Sequence, residues 1–176
     1  VRDHADQVSE HALVPLLNWI KTKSNEGDEE TLRAAVECCL ALCQATSDDP
    51  RTRARASQNM SRLLEEKDAL LTLLTLLSLS HGFYTRFGAL QLLVLLVEHR
   101  RLEVQEYVLT APGGSSSVLQ CLEAAPSSST EIIRNEALLL LPQLVRDNAD
   151  IQKIVAFEGA FERLLDIIVQ EGRIEG

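Results

Sequence analysis

Apolar residues recur along this chain at intervals of three and four. Over residues 31–43, Leu32, Ala35, Val36, Cys39, Leu40 and Cys43 lay one stripe along a helix, and Phe161, Leu164, Leu165 and Ile168 repeat the pattern near the C-terminus. Between Leu70 and Leu79 the pattern inverts, with leucines surrounding a thin polar stripe of Thr72, Thr75 and Ser78. A helix that apolar must be covered on most of its sides, and residues 88–97 and 137–145 read the same way. Residues 11–20 read as a further amphipathic helix closing a unit whose earlier partners lie outside this sequence. Nowhere does apolar–polar alternation persist long enough to predict a strand.

Short polar, glycine or proline segments separate these runs, at 24–28, 47–50, 111–117 and 126–129. Ser128 with Glu131 offers a capping box at the start of a helix. Connections this short place successive helices against one another. Pro142 falls inside a leucine run, where it removes a backbone donor; a bend near 138–141 is expected, within one helix.

The helices repeat. Tyr84-Thr85-Arg86-Phe87-Gly88-Ala89-Leu90 aligns with Ile132-Ile133-Arg134-Asn135-Glu136-Ala137-Leu138, matching Arg86 to Arg134 and Ala89 to Ala137. Val104-Gln105 then falls opposite Ile151-Gln152 after a slip of one residue, and Gly113 and Gly159 follow. Closing helices are expected at 118–122 and 161–168. The period near 47 residues lies within the range of armadillo and HEAT repeats, about 40–47 residues each. Each unit is expected to hold a buried helix, a shorter amphipathic helix, a tight turn and a closing helix. Such units cannot cover their own apolar faces and must stack. The fold expected is therefore all-α, an armadillo/HEAT-like right-handed superhelical solenoid. It forms a single domain over 1–176, with a partial unit at 1–24 and units at 29–80, 83–125 and 131–172. The first third fits this register more loosely.

Composition narrows the function. Aromatics are 4% of the chain while leucine and alanine abound, which favours helices over strands. The net charge of −9 opposes nucleic-acid binding, which needs a dominant basic stripe. Arg51, Arg53, Arg55 and Arg62 form the one basic cluster; with Asp48 and Asp49 upstream, it reads as a solvated helix start or a patch for an acidic partner. Cys39 and Cys43 share a helix face and read as small core groups, since neither metal-ligand spacing nor a disulfide framework is apparent. Reduced thiols suit the cytosol. The most apolar run, 87–97, is far shorter than the roughly 20 residues of a membrane span. A start at Val1 suggests an excerpt of a longer protein.

Chemistry is hard to find. His4, His11, His81 and His99 are scattered, and surface or loop placement is expected for them. Gly113-Gly114-Ser115-Ser116-Ser117 lacks the lysine and preceding strand of a phosphate-binding loop and reads as a turn. Glu65, Glu66, Glu158 and Glu162 fit a charged helix face, not a carboxylate pair set for acid–base work. No enzyme, cofactor or metal is expected.

From Phe83 onward the residues resemble a known family. The segments 83–93 and 133–141, and above all Ile151-Gln152-Lys153-Ile154-Val155-Ala156-Phe157-Glu158-Gly159-Ala160-Phe161-Glu162-Arg163-Leu164-Leu165, resemble the globular head of the general vesicular transport factor, or Uso-type golgin tether, family. The resemblance extends over about 82–172. It implies a cytoplasmic tether, peripheral on Golgi and transport-vesicle membranes, acting in endoplasmic reticulum to Golgi transport. The partners implied are a Rab GTPase of the early secretory pathway, SNARE proteins and other golgins. Family members join an armadillo-like head to a long dimeric coiled coil and an acidic tail, so a homodimer is implied for the full-length protein. This sequence has no sustained heptads, and the resemblance implies that it corresponds only to the start, the N-terminal part, of the head. It departs from the family at Pro142, inside a helix normally continuous, and at 126–129, which lengthens a loop.

Candidate partner-binding residues are Arg134, Asn135, Gln152, Lys153, Glu158, Glu162 and Arg163, the polar positions within the most family-like segments. Arg134 and Asn135 could equally satisfy backbone groups between repeats. Phe157 and Phe161 are expected in the core. Competing readings are an armadillo-type peptide-binding adaptor or chaperone cofactor, and a structural spacer within a larger head. The single tryptophan, Trp19, and the absence of an asparagine ladder weigh against the adaptor.

Overall fold

The computed structural model describes residues 2–24, 28–123 and 128–174, with side chains described over 11–24, 28–123 and 129–172. Among the described residues there are nine helices and no strand: α1 (Arg2–Lys23), α2 (Glu29–Cys43), α3 (Pro50–Glu65), α4 (Ala69–Thr75), α5 (Phe83–Thr110), α6 (Gly114–Gln120), α7 (Ser128–Val145), α8 (Ala149–Phe157) and α9 (Ala160–Ile174). None is long and apolar enough to cross a membrane.

Local chemistry sets the helix starts. The Asp28 carboxylate accepts from the Thr31 amide at 3.2 Å, and Glu29 and Glu30 place negative charge in the first turn of α2. Asp49 caps α3 by accepting from the Arg51 amide at 3.1 Å, with Pro50 at the first turn where no amide is needed. Asn148 caps α8 through the amides of Asp150 and Ile151. The Ser128 side chain, half of the expected capping box, lies outside the described side chains.

A left-handed residue precedes each closing helix: Asp68 (φ 65°) before α4, Gly113 (φ 69°) before α6 and Gly159 (φ 83°) before α9. These markers stand 45 and 46 residues apart and give the repeat register. The first carries no glycine, so its equivalence to the other two is hidden in the sequence.

Helix α5 is the centre of the stack, lying between α2 and α7. Leu90, Leu92, Leu93, Leu96 and Val97 are all buried, as a helix apolar on every side requires. Its backbone breaks at Arg100 (φ −141°, ψ 68°), separating a long buried helix over 83–99 from a short one over 101–110. In the next set α7 and α8 are separate helices, joined through a left-handed Asp147 (φ 56°).

Several expectations need correcting. The segment 111–117 is not wholly a turn: the turn is Gly113, and α6 already begins at Gly114 and ends at Gln120, earlier than the 118–122 expected. A Cβ on Gly114 would meet the Val108 carbonyl oxygen at 2.5 Å, so α6 can start there only because glycine occupies the position. Ser117 folds its hydroxyl back onto the Gly113 carbonyl at 2.9 Å, which lets a serine run continue as helix. At the N-terminus α1 begins at Arg2, not near residue 11, and runs through Pro15. Helix α7 passes through Pro142 without dividing. Pro142 is exposed and lies in the last turns, so one lost hydrogen bond is the main cost.

Candidate protein-interaction surface

Helix α9 is amphipathic, but its apolar side is not all inward. Ala160 and Ile167 are buried, while Phe161, Leu165, Ile168 and Val169 face solvent. Phe157, the last residue of α8, is 94% exposed and Phe161 is 64% exposed, which corrects the core placement expected for both. They stand on either side of the Gly159 turn, and both are exposed. On α9 itself Phe161, Leu165, Ile168 and Val169 recur at helical spacing and leave an exposed apolar stripe.

The candidate polar residues do not converge on one patch. Arg134 is buried, its guanidinium held by Glu171 of α9 at 2.7 Å, so it ties α7 to α9 and faces no partner. Arg163 donates to the carbonyls of Glu158 (2.7 Å) and Gly159 (3.3 Å) and approaches Glu123 at 3.6 Å, closing the turn between α8 and α9. Gln152 donates to the Val145 carbonyl at 2.9 Å and so finishes the C-terminus of α7. Glu158 is half-buried, with one carboxylate oxygen unpartnered. Asn135, Lys153 and Glu162 are exposed; of these Lys153 pairs with Asp150 in its own helix at 3.2 Å. Only these three remain free to meet another protein.

Buried polar residues outside the candidate partner-binding set carry further joints. Gln105, fully buried in α5, donates to both the Leu144 and Arg146 carbonyls at 2.8 Å. Gln105 and Gln152, aligned in the sequence repeat, therefore converge on the same end of α7. Asn59 donates to the Leu42 carbonyl at 2.7 Å, finishing α2 in the same manner. Arg86 reaches the Leu77 carbonyl at 3.0 Å, joining α5 to the chain after α4. The signal available was a long polar residue at an otherwise core-facing position of each repeat.

Two concavities adjoin these joints. A groove of about 580 Å³ at the α5 break is lined by Arg100, Arg101, Arg146, Glu98 and Glu103 among others. Its charges largely cancel, since Arg100 pairs with Glu103 at 3.4 Å and Arg101 with Asp147 at 3.2 Å. A cleft of about 190 Å³ beside Gly113, Gly114 and Ser115 has Glu158 as its ionisable lining group, and a carboxylate opposes an anion there.

Cys39, Cys43 and Cys121 are buried and free, while Cys38 is exposed. Burial pushes the Cys39 and Cys43 thiols up to about 12, so neither supplies thiolate at neutral pH. The histidines differ from expectation in part. The His81 side chain is buried beside Glu29 at 3.7 Å, and His99 shares a 2.9 Å hydrogen bond with the Ser61 hydroxyl. Burial lowers the His99 pKa. His11 is exposed, and the His4 side chain lies outside those described. Among the described residues no three metal-ligating side chains cluster. In the basic cluster Arg53 pairs with Asp48 at 2.7 Å, at the solvated start of α3.

No protein-family profile matches the chain. It is 37% identical over 156 residues to Golgin candidate 6 of Arabidopsis thaliana, covering 88% of this chain and 16% of that protein. It is 41% identical over 120 residues to the general vesicular transport factor p115 of Homo sapiens, covering 68% and 12% respectively. The intracellular protein transport protein uso1 of Schizosaccharomyces pombe is 30% identical over 176 residues, 99% of this chain and 16% of its own length. A crystal structure of Uso1 superposes with a TM-score of 0.82 at 26% identity, over 99% of this chain and 29% of that one. The all-helical, armadillo-like fold is thus shared, and the chain spans about a sixth or less of the full-length relatives it matches.

Proposed function

The chain belongs to the p115/Uso1 family of vesicular transport factors, matching one segment of them, and on that premise we propose that it is part of a protein-binding tethering head. The observation that carries this reading is similarity over nearly the whole chain in both sequence and fold. In this reading the units at 29–80, 83–125 and 131–172 are successive repeats of one domain. The head acts without catalysis in transport from endoplasmic reticulum to Golgi. It docks vesicles by engaging a Rab GTPase of the early secretory pathway, SNARE proteins and other golgins. The protein is cytoplasmic, peripheral on Golgi and vesicle membranes, and dimeric at full length.

Support for a contact role is strongest at Asn135, Lys153 and Glu162, which are exposed and hold no other helix in place. Arg134, Gln152, Glu158 and Arg163 act within the fold, and substituting them would confound binding with stability. Calorimetry with the Rab GTPase, in its GTP-analogue and GDP forms, tests the proposal. A nucleotide-dependent signal that is lost in Lys153→Glu with Glu162→Lys, at unchanged helicity, is the expected result. Equal, absent or variant-insensitive binding would remove this segment from the GTPase site and leave it as scaffold.

A further inference from the structure

The left-handed markers at Asp68, Gly113 and Gly159 put Lys67, Pro112 and Glu158 at one position, the residue just before each turn. A lysine, a proline and a glutamate share that place, so stacking of the repeats does not call for an acid there. Glu158 serves the fold through its main chain, whose carbonyl accepts from Arg163 at 2.7 Å. Its carboxylate takes no part in that bond, and Oε2 is buried without a hydrogen-bond partner. A carboxylate oxygen shut off from water and left without a donor is unfavourable until a donor arrives.

Glu158 lines the cleft of about 190 Å³ between the end of α5, the start of α6 and α8. Two further features of that lining also favour a donor. Pro112 has no amide, so the Val108 carbonyl lacks its helical partner, and the Ala111 amide turns to Tyr107 instead. The Val108 oxygen lies against Gly114 in the cleft wall, where a Cβ would meet it at 2.5 Å. Ser115, also on the lining, has a hydroxyl with no protein partner among the described residues. Leu109, Ile151 and Ile154 make up much of the rest.

From this we propose that the cleft receives the side chain of a lysine from another polypeptide. Its methylenes lie along Leu109, Ile151 and Ile154, and its ammonium goes to the Glu158 carboxylate, with the Val108 carbonyl and Ser115 hydroxyl as further acceptors. The cleft holds several times the roughly 30 Å³ of one water but less than the roughly 300 Å³ at which small-molecule sites begin, which suits one slender side chain. Its single ionisable group balances one charge and would leave the others of a polyamine uncompensated. A compact ammonium can direct its three donors to separate acceptors, whereas a guanidinium fork needs both oxygens of an open carboxylate. The net charge of −9 draws basic segments toward the chain. Half-buried Glu158 presents no face to a flat contact, and a narrow side chain reaches it by way of the cleft. The inference is independent of the GTPase reading, whose test turns on Lys153 and Glu162.

The test titrates this chain with acetyl-Gly-Lys-Gly-amide and follows backbone amide resonances. Saturable shifts at Gly113, Gly114, Ser115 and Ile154 are expected, with a Kd of about 1–10 mM for a single side chain. The peptide with its lysine acetylated should bind at least about 10-fold more weakly, and so should the lysine peptide to Glu158→Gln, which keeps the carbonyl that Arg163 holds. Ile154→Lys, one turn before Glu158 on α8, supplies an ammonium within the chain and should abolish peptide binding at unchanged helicity. Equal affinity for the acetylated peptide, or for Glu158→Gln at an unchanged urea midpoint, would overturn the inference. If glutamine lowers that midpoint, Ile154→Lys decides alone, and undiminished binding to it would overturn the inference too. So would the absence of shifts at about 20 mM peptide. An arginine peptide bound equally well, or spermidine bound at least about 10-fold tighter, would refute the assignment to lysine.

Discussion

Gly88 is a position where α5 packs tightly against α2, and replacing it tests how that joint is packed. A Cβ at Gly88 would sit 2.8 Å from Cγ1 of Val36, which is itself fully buried. Carbon atoms prefer about 3.5–4.0 Å, so Gly88→Ala forces α2 and α5 apart by up to about 1 Å or twists Val36 off its rotamer. Overpacking of this kind costs roughly 1–3 kcal/mol. Alanine's better helix propensity returns about 1 kcal/mol. The net expectation is a loss of about 1 kcal/mol, or roughly 2–4 °C in Tm for a chain of this size. Val36→Ala removes the obstructing methyls and alone costs about 1–3 kcal/mol in lost burial and cavity. In that background Gly88→Ala fills the space and keeps the propensity gain, so it should stabilise by about 1 kcal/mol. The sign reversal is the prediction, a coupling of about 2 kcal/mol. Urea titrations of the four proteins, followed by circular dichroism with unchanged m-values, measure it. Additivity within about 0.5 kcal/mol would refute the packing assigned to this joint.

The joints and the thiols carry further consequences. Gln105→Leu should cost roughly 2–4 kcal/mol by urea titration, since two helix-end carbonyls lose a buried donor; a loss below about 0.5 kcal/mol would mean water replaces the amide. Glu171→Ala, which strands a buried guanidinium, should destabilise by about 1–3 kcal/mol, and Arg134→Met by less, because it leaves only an exposed carboxylate behind. The reverse order by thermal melting would contradict the buried placement of Arg134. Because the folded Cys39 and Cys43 thiols ionise near 12, above the ordinary 9.0, the unfolded chain releases their protons first as pH rises. Their contribution is therefore full below pH 9 and falls between 9 and 12, by up to about 1.4 kcal/mol per pH unit for each thiol. Cys43→Ala should shallow the decline between about pH 9 and 10, and an unchanged slope would contradict it.

Much of the helical content was legible because local physics sets it. The stripe over 31–43 became α2. The all-round apolar character of 88–97 required burial, and α5 lies between α2 and α7. The alignment of Arg86 with Arg134 also held as structure, since both are buried arginines in the long central helices. The candidate surface was read less well. Residues within one family-like motif split between joints, as with Gln152 and Arg163, and exposed positions, as with Lys153 and Glu162.

The sequence by itself determined helix type, repeat length and the family, because period, caps and motif are local or directly comparable features. Tertiary structure alone decided which apolar residues are covered. Phe161 and Leu70 hold equivalent places in their repeats, yet one lies open and the other is buried. Burial of a stacked helix depends on the neighbour laid against it in space, and no helix encodes its own cover. The same holds for Asp68, whose left-handed backbone marks a repeat without glycine, and for Gly88, whose missing side chain makes room for Val36 of a different helix.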